Sequence, residues 1–338
     1  MTVHVLATGG TIASHLAGDA WLEIDGTTLV AELDPARLAE LGLDPARDVV
    51  VTDITSGPSS NLAVDDMVAI AGRIAAALAA GATGVVVTHG TDTVELTAFV
   101  TELLVGVADD RAPVVLTGSM RVHSHPQPDG PTNLLDALTV ACAPAARGRE
   151  VLVCLDGTLH RAVDIAKHDA TSLDAFTSHP FAPVGTVGHG RVAFDATPPP
   201  ARPALRLPAA GTSVDVPLVS CYPGIAASTV AAALEGRRGA VLEVFGDLNV
   251  PRQLWRPIHE AATAGTAVVL ASRAFTDTTR TSDLDRLGAV GAGGLSAQKA
   301  RLALLAALGT TDDRDAAIDI VHRYRRPLAP HERSSRHD

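Results

Sequence analysis

Short β-branched runs alternate with longer stretches of helical periodicity along most of this chain, and that alternation leaves few folds open. Residues 3–8 (VHVLAT), 48–54 (DVVVTDI), 84–89 (GVVVTH), 112–118 (APVVLTG) and 150–156 (EVLVCLD) read as buried strands. Between them, residues 63–81, 92–106 and 129–144 carry apolar side chains at helical spacing, and Gly81 closes the first of these. Strands apolar on both faces need cover on both, and parallel strands joined by crossover helices supply it. The expected fold class is therefore α/β, with a larger N-terminal domain over 1–195 built on an open, mostly parallel sheet with helices on both faces. Residues 198–208 hold five prolines in eleven positions, so 196–212 reads as a stiff Pro-rich linker. The alternation then restarts and predicts a smaller C-terminal α/β domain over 213–325, followed by a polar tail, 326–338.

Charge and cysteine usage narrow the function classes. With 27 basic and 38 acidic residues the formal net charge is −11, which disfavours nucleic acid and anionic membrane as partners, because both reward clustered Lys and Arg. The alanine- and leucine-rich stretches are too short to span a bilayer. The three cysteines, Cys142, Cys154 and Cys221, are far apart and form neither a disulfide framework nor a CxxC metal site. No charged segment followed by an apolar run precedes the first strand. The expected location is the cytoplasm. His123 and His125 are adjacent but lack the further ligands a metal site needs, so no metal is expected. His89 reads as a packed or hydrogen-bonded residue at a strand end.

Two turns stand out. The first strand stops at Thr8-Gly9-Gly10-Thr11, and a strand about eighty residues later stops at His89-Gly90-Thr91-Asp92-Thr93. In open parallel sheets ligands bind beyond the carboxyl ends of the strands. Both turns sit there, and glycines let the backbone approach a small ligand closely. Neither turn matches a dinucleotide fingerprint or a Walker A loop. Each alone also fits a tight turn or a helix cap.

Taken together, the motifs ATGGTIAS (7–14), THGTDTVE (88–95), VVLTGSMR (114–121) and DGPTNL (129–134), in that order, resemble the bacterial-type L-asparaginase family, which includes glutaminase-asparaginases. The resemblance runs on through residues 160–176 and 295–305 and covers roughly residues 1–325. It implies that Thr11 is the nucleophile and that Thr91, Asp92 and Lys167 complete the catalytic set. It places Ser59 on the substrate α-carboxylate, and Ser60 where many relatives carry glutamine, near the α-amino group. Asp92 also falls among the substrate-binding positions. Asn249 resembles an asparagine that reaches the site from a neighbouring chain, and Asp283 is a looser acidic match. The implied activity is hydrolysis of the asparagine side-chain amide to aspartate and ammonia through a threonine acyl-enzyme, with no cofactor, in a homodimer or homotetramer. Glutaminase-asparaginase activity, another amide substrate, or a non-catalytic amino-acid binder are the alternatives. The family usually carries a tyrosine in the lid after its first motif. Residues 15–28 have none, and Trp21 is the aromatic residue there.

The chemistry asks for these residue types. A neutral hydroxyl is a poor nucleophile and an amide carbon a poor electrophile, so the hydroxyl needs a base and the carbonyl oxygen needs N–H donors. A lysine serves as a base only where its surroundings disfavour the ammonium.

Overall fold

Each β-branched run of the N-terminal half becomes a strand of one sheet. The computed structural model describes residues 1–206, 215–274 and 281–324, without the side chains of 281 and 282, and divides into a first unit, Met1–Ala204, and a second from Leu205 onward. In the first unit the strands are β1 (Val3–Ala7), β2 (Ser14–Ala17), β3 (Ala20–Glu23), β4 (Val49–Asp53), β5 (Gly84–Thr88), β6 (Val114–Thr117), β7 (Leu152–Leu155), β8 (Thr158–Arg161), β9 (Ala166–Lys167), β10 (Phe176–Thr177), β11 (Gly185–Gly188) and β12 (Arg191–Phe194). Its helices are α1 (Gly26–Ala31), α2 (Pro35–Glu40), α3 (Pro45–Asp48), α4 (Val64–Ala79), α5 (Val94–Val105) and α6 (Gly130–Cys142). Eight strands form one sheet in the order β12-β11-β8-β7-β6-β5-β1-β4. The pairs from β7 to β4 are parallel, and β8, β11 and β12 continue the sheet through antiparallel pairs.

The period-2 alternation of strand side chains splits the interior into two layers. Val3, Val5, Val86, Val115 and Leu152 pack on one face with Leu29, Leu38, Leu134 and Leu138 from α1, α2 and α6. Leu6, Val85, Val87, Val114 and Val153 pack on the other with Ile70, Ile74 and Ala98 from α4 and α5. Helix starts follow local chemistry. Asp25, Asp34 and Asp44 accept the N–H groups of Thr28, Ala36 and Ala46, and Pro35 and Pro45 open their helices where no N–H is needed.

The second unit carries a four-stranded parallel sheet, β13 (Leu218–Ser220), β14 (Gly239–Val244), β15 (Ala267–Ser272) and β16 (Val290–Gly291), in that spatial order. Its helices are α7 (Ala227–Leu234), α8 (Trp255–Thr263), α9 (Thr281–Leu287), α10 (Ala297–Thr310) and α11 (Arg314–His322). Among the described residues no helix is long and apolar enough to cross a membrane.

The Pro-rich stretch behaves differently from a free linker over its first half. Arg149 donates to the Ala196 carbonyl at 2.9 Å, and Arg202 exchanges two backbone hydrogen bonds with Val107 at 2.8 and 2.9 Å. The first unit thus extends to Ala204, because Arg202 is needed there as a counter-charge. Its guanidinium lies 3.1 Å from the carboxylate of Glu102, which is 1% exposed on α5. Residues 207–214 and the expected polar tail, 326–338, lie outside the described residues.

Burial pushes the Glu102 carboxyl up to about 6, while Arg202 and Arg111 pull it down. Removing Arg202 leaves the carboxylate under-compensated, so Arg202→Met is expected to cost about 3 kcal/mol of stability at neutral pH. The folded variant holds the Glu102 proton more tightly than the unfolded chain does, so this loss shrinks as pH falls from 7 to 5. Urea unfolding at the two pH values measures it.

Candidate active site

Strand order places the two hydroxyl-rich turns side by side. β1 lies between β4 and β5, with Ala7 in register with both Asp53 and Thr88. The N–H and the hydroxyl of Thr8 both donate to the Thr88 carbonyl, at 3.1 and 2.8 Å. Beyond the strand ends the backbones close on each other. Gly10 has φ +85°, and a Cβ on it would sit 2.3 Å from the Gly90 Cα. A Cβ on Gly90 would sit 2.6 Å from the Ser59 hydroxyl oxygen. Gly10 donates its N–H to the Gly57 carbonyl at 3.0 Å. Only glycine fits these contacts, and they bring Thr11, Ser59, Thr91 and Asp92 onto the wall of one pocket of about 460 Å³, which Trp21 and Glu23 also line.

The start of α5 organises the polar side of this pocket. Thr93 donates its hydroxyl to the Ser59 carbonyl at 2.9 Å. The Ser59 hydroxyl is buried and meets no hydrogen-bond partner among the described residues. Lys167 on β9 donates its ammonium to Thr91 Oγ1 at 2.8 Å and to Asp92 Oδ1 at 2.9 Å. Its own backbone N–H donates to the Glu95 carboxylate at 2.6 Å. The first turn of α5 therefore holds the lysine by main chain and side chain together. The Lys167 side chain is 20% exposed and that of Asp92 60%.

Beneath the turn lies His89, fully buried. One ring nitrogen, Nδ1, faces the Gly90 carbonyl at 2.8 Å and so carries the proton. The other, Nε2, lies 2.9 Å from the Thr97 hydroxyl, which donates to it. Burial pushes the imidazole down to about 4.

The expected residues do not all converge. Thr11, Ser59, Thr91 and Asp92 line the pocket, and Lys167 bonds to two of them. Ser60 follows Ser59 in a 3₁₀ turn that faces it outward. It is exposed and is not part of the pocket wall. Asn249 belongs to the second unit, where its amide donates to the Gly246 carbonyl at 2.7 Å and it lines a pocket with Asp247, Arg252, Trp255 and Asp283. Asp247 and Leu248 before it have φ of 57° and 53°. His123 is held by Glu32 at 2.6 Å and by the His15 ring at 3.2 Å.

Four features lie outside the sequence expectations. Residues 14–23 form a β-hairpin, β2 with β3, turning at Gly18-Asp19, and a Gly-Asp pair between short apolar runs is a hairpin signal. Glu23 at its end reaches the pocket wall, and no local pattern marks it. Glu95 closes the THGTDTVE motif, but nothing in that motif marks its bond to the Lys167 backbone. The lysine itself carried an overlooked signal: only two of the 27 Lys and Arg residues are lysines, Lys167 and Lys299. A chain that uses arginine, which cannot be deprotonated in a protein, at its other 25 basic positions keeps an amine at 167 and at 299.

Comparison with known proteins shows the family. Residues 2–200 match the family model for the N-terminal asparaginase domain, and residues 215–320 that for the glutaminase/asparaginase C-terminal domain. A probable L-asparaginase of Deinococcus radiodurans is 35% identical over 273 aligned residues, covering 80% of this chain and 78% of the relative. One component of a glutamyl-tRNA(Gln) amidotransferase from Halobacterium salinarum is 30% identical over 94% of this chain and 77% of its own length. The crystal structure of a probable cytoplasmic L-asparaginase from Campylobacter jejuni superposes with TM-score 0.82 at 27% identity, covering 95% of this chain and 99% of the other.

The buried His89 sets a pH dependence. The unfolded chain binds this proton near the ordinary histidine value and the folded chain only near 4. The unfolded state thus holds more protons between the two values, and stability is lost as the pH is lowered through that window. Wild type is expected to lose about 2 kcal/mol more than His89→Asn between pH 7 and pH 5. Parallel denaturant titrations read this difference, and groups common to both proteins cancel from it.

Proposed function

The chain belongs to the asparaginase family, and we propose that it is an L-asparagine amidohydrolase that forms L-aspartate and ammonia through an acyl ester on Thr11. The observation that carries this reading is the Lys167 ammonium bonded to Thr91 and Asp92, on a wall that also presents Thr11. A hydroxyl, a lysine-linked second hydroxyl and a carboxylate around one small pocket are the parts that acyl transfer from an amide requires. In this scheme Ser59, whose buried hydroxyl has no hydrogen-bond partner among the described residues, takes the α-carboxylate, and Asp92 takes the α-ammonium. The Thr11 oxygen bonds to the carboxamide carbon, whose carbonyl electron pair moves to oxygen, as the Thr11 proton passes through water to the carboxamide nitrogen. The C–N bond then breaks, and nitrogen leaves as ammonia after gaining a proton. Water, oriented by Thr91 and Lys167, adds to the ester, releases aspartate and restores the Thr11 hydroxyl. The N-terminal turn of α5 favours the negative charge that develops on the carbonyl oxygen.

Substrate ammonium on Asp92 competes with Lys167 for the same carboxylate, which weakens the hold on the lysine when substrate is bound. The scheme needs no cofactor. Asn249 is assigned to a neighbouring copy's site within a homodimer or homotetramer. A cytoplasmic location fits the Campylobacter relative, described as cytoplasmic. The Halobacterium relative favours a second reading, the amidase component of a tRNA amidotransferase. The net charge of −11 weighs against an RNA-facing role for this chain alone.

Ammonia release decides between these readings. The purified chain is expected to hydrolyse free L-asparagine faster than L-glutamine or D-asparagine. Thr11→Ala is expected to lower kcat by about 10³-fold or more. Lys167→Arg, which keeps the charge but cannot give up a proton, is expected to lower it by about 10²-fold or more. No release from any free amide by the wild-type chain sinks the amidohydrolase reading.

A further inference from the structure

Glu23 stands at the pocket without a part in the chemistry above. It ends β3, opposite Ser14 in the hairpin register, and its side chain is seated rather than loose. Both carboxylate oxygens accept the Gly57 N–H, at 2.9 and 3.1 Å. The backbone makes room for it. Gly9 has φ +79°, and a Cβ there would lie 2.3 Å from Glu23 Oε1. The first glycine of the nucleophile turn is thus the floor under a carboxylate from another element.

The charges around the pocket do not balance. Glu23 and Asp92 both line the wall, whereas the ammonium of Lys167 is bonded to Asp92 and Thr91. One carboxylate more than ammonium faces the pocket from these elements. A ligand with a cationic group offsets that excess, and one without it leaves a carboxylate to be desolvated at a cost. Location says which group. Gly57, which holds Glu23, is two residues before Ser59, whose buried hydroxyl has no hydrogen-bond partner among the described residues and takes the ligand carboxylate in the amidohydrolase reading. In an α-amino acid the carbon bearing that carboxylate also bears the ammonium. A carboxylate has about four lone-pair sites, so acceptor capacity remains after one N–H is bound.

The geometry points to Glu23 as a specificity-determining residue that reads the substrate's α-ammonium, so that amides of free α-amino acids are preferred over carboxamide acids lacking the amine. The inference rests on the amidohydrolase reading for the position of the α-carbon. It also accounts for a missing function: Ser60 is short and faces away, so the hairpin supplies the acceptor that it does not.

The test uses Glu23→Gln, whose amide oxygen still accepts the Gly57 N–H, so that only the charge is lost. L-asparagine is compared with succinamate, which keeps the carboxamide and the carboxylate and has hydrogen in place of the ammonium. In Glu23→Gln, kcat/KM for L-asparagine is expected to fall about tenfold, mainly through KM, while that for succinamate stays within about twofold. Calorimetric binding of L-aspartate and succinate to both proteins is expected to shift in the same sense. Equal losses on both members of either pair mean that Glu23 only hooks the hairpin, and overturn the inference. If the wild type hydrolyses no amide, the amidohydrolase reading fails, and the aspartate-to-succinate binding ratio still judges Glu23. An unchanged ratio, or no binding of either diacid, overturns it.

Discussion

Everything at this pocket depends on two glycine turns meeting without side chains between them. Adjacent parallel strands end at the same level, so the chain segments after β1 and β5 must leave the sheet next to each other. With any Cβ at Gly10 or Gly90 the turns could not close, and Thr11, Ser59 and Thr91 would stand on separated loops. The glycines cost backbone entropy. What they return is position: hydroxyls carried by segments far apart in sequence, held by rigid strand ends instead of by one another.

The first turn of α5 is the second organising element. It carries Thr91, Asp92 and Thr93 just before the helix and Glu95 within it, and through these it fixes Ser59 on one side and Lys167 on the other. Lys167 sits on a two-residue strand paired with Phe176 and Thr177, too short to locate a long side chain by itself. Bonds to its main chain and to its ammonium remove that freedom. Below, a neutral His89 ties the Gly90 carbonyl to α5 through Thr97, so the turn is supported from the core side by a group that gains nothing from being charged there.

Much of the fold was legible because it rests on local chemistry. The strands 3–8, 48–54, 84–89, 112–118 and 150–156 are built on short β-branched apolar runs of strand length, and the three long helices between them carry their own period. The two glycine-and-hydroxyl turns were legible for the same reason, whereas the roles of Thr11, Thr91 and Asp92 came with the family resemblance. What escaped were contacts between elements. The hairpin over 14–23 had a turn signal but an irregular apolar pattern, and Glu23 looks like any exposed glutamate until Gly9 and Gly57 are seen around it. Prolines at 198–200 promised a spacer, yet the buried Glu102 draws Arg202 back to the first unit. Neighbouring Ser59 and Ser60 could not be told apart by type, and backbone direction alone buries one and exposes the other.

The α/β class, the strand and helix order, and the hydroxyl-rich turns at two strand ends all follow from the residues in their linear order, because period, glycine placement and side-chain chemistry are written locally. Folding settles the rest: which of those residues share a pocket, which contacts the lysine makes, and that a hairpin carboxylate joins them. Such contacts depend on distances between segments distant along the chain, set by sheet order and close packing, and no stretch of residues encodes a distance to another.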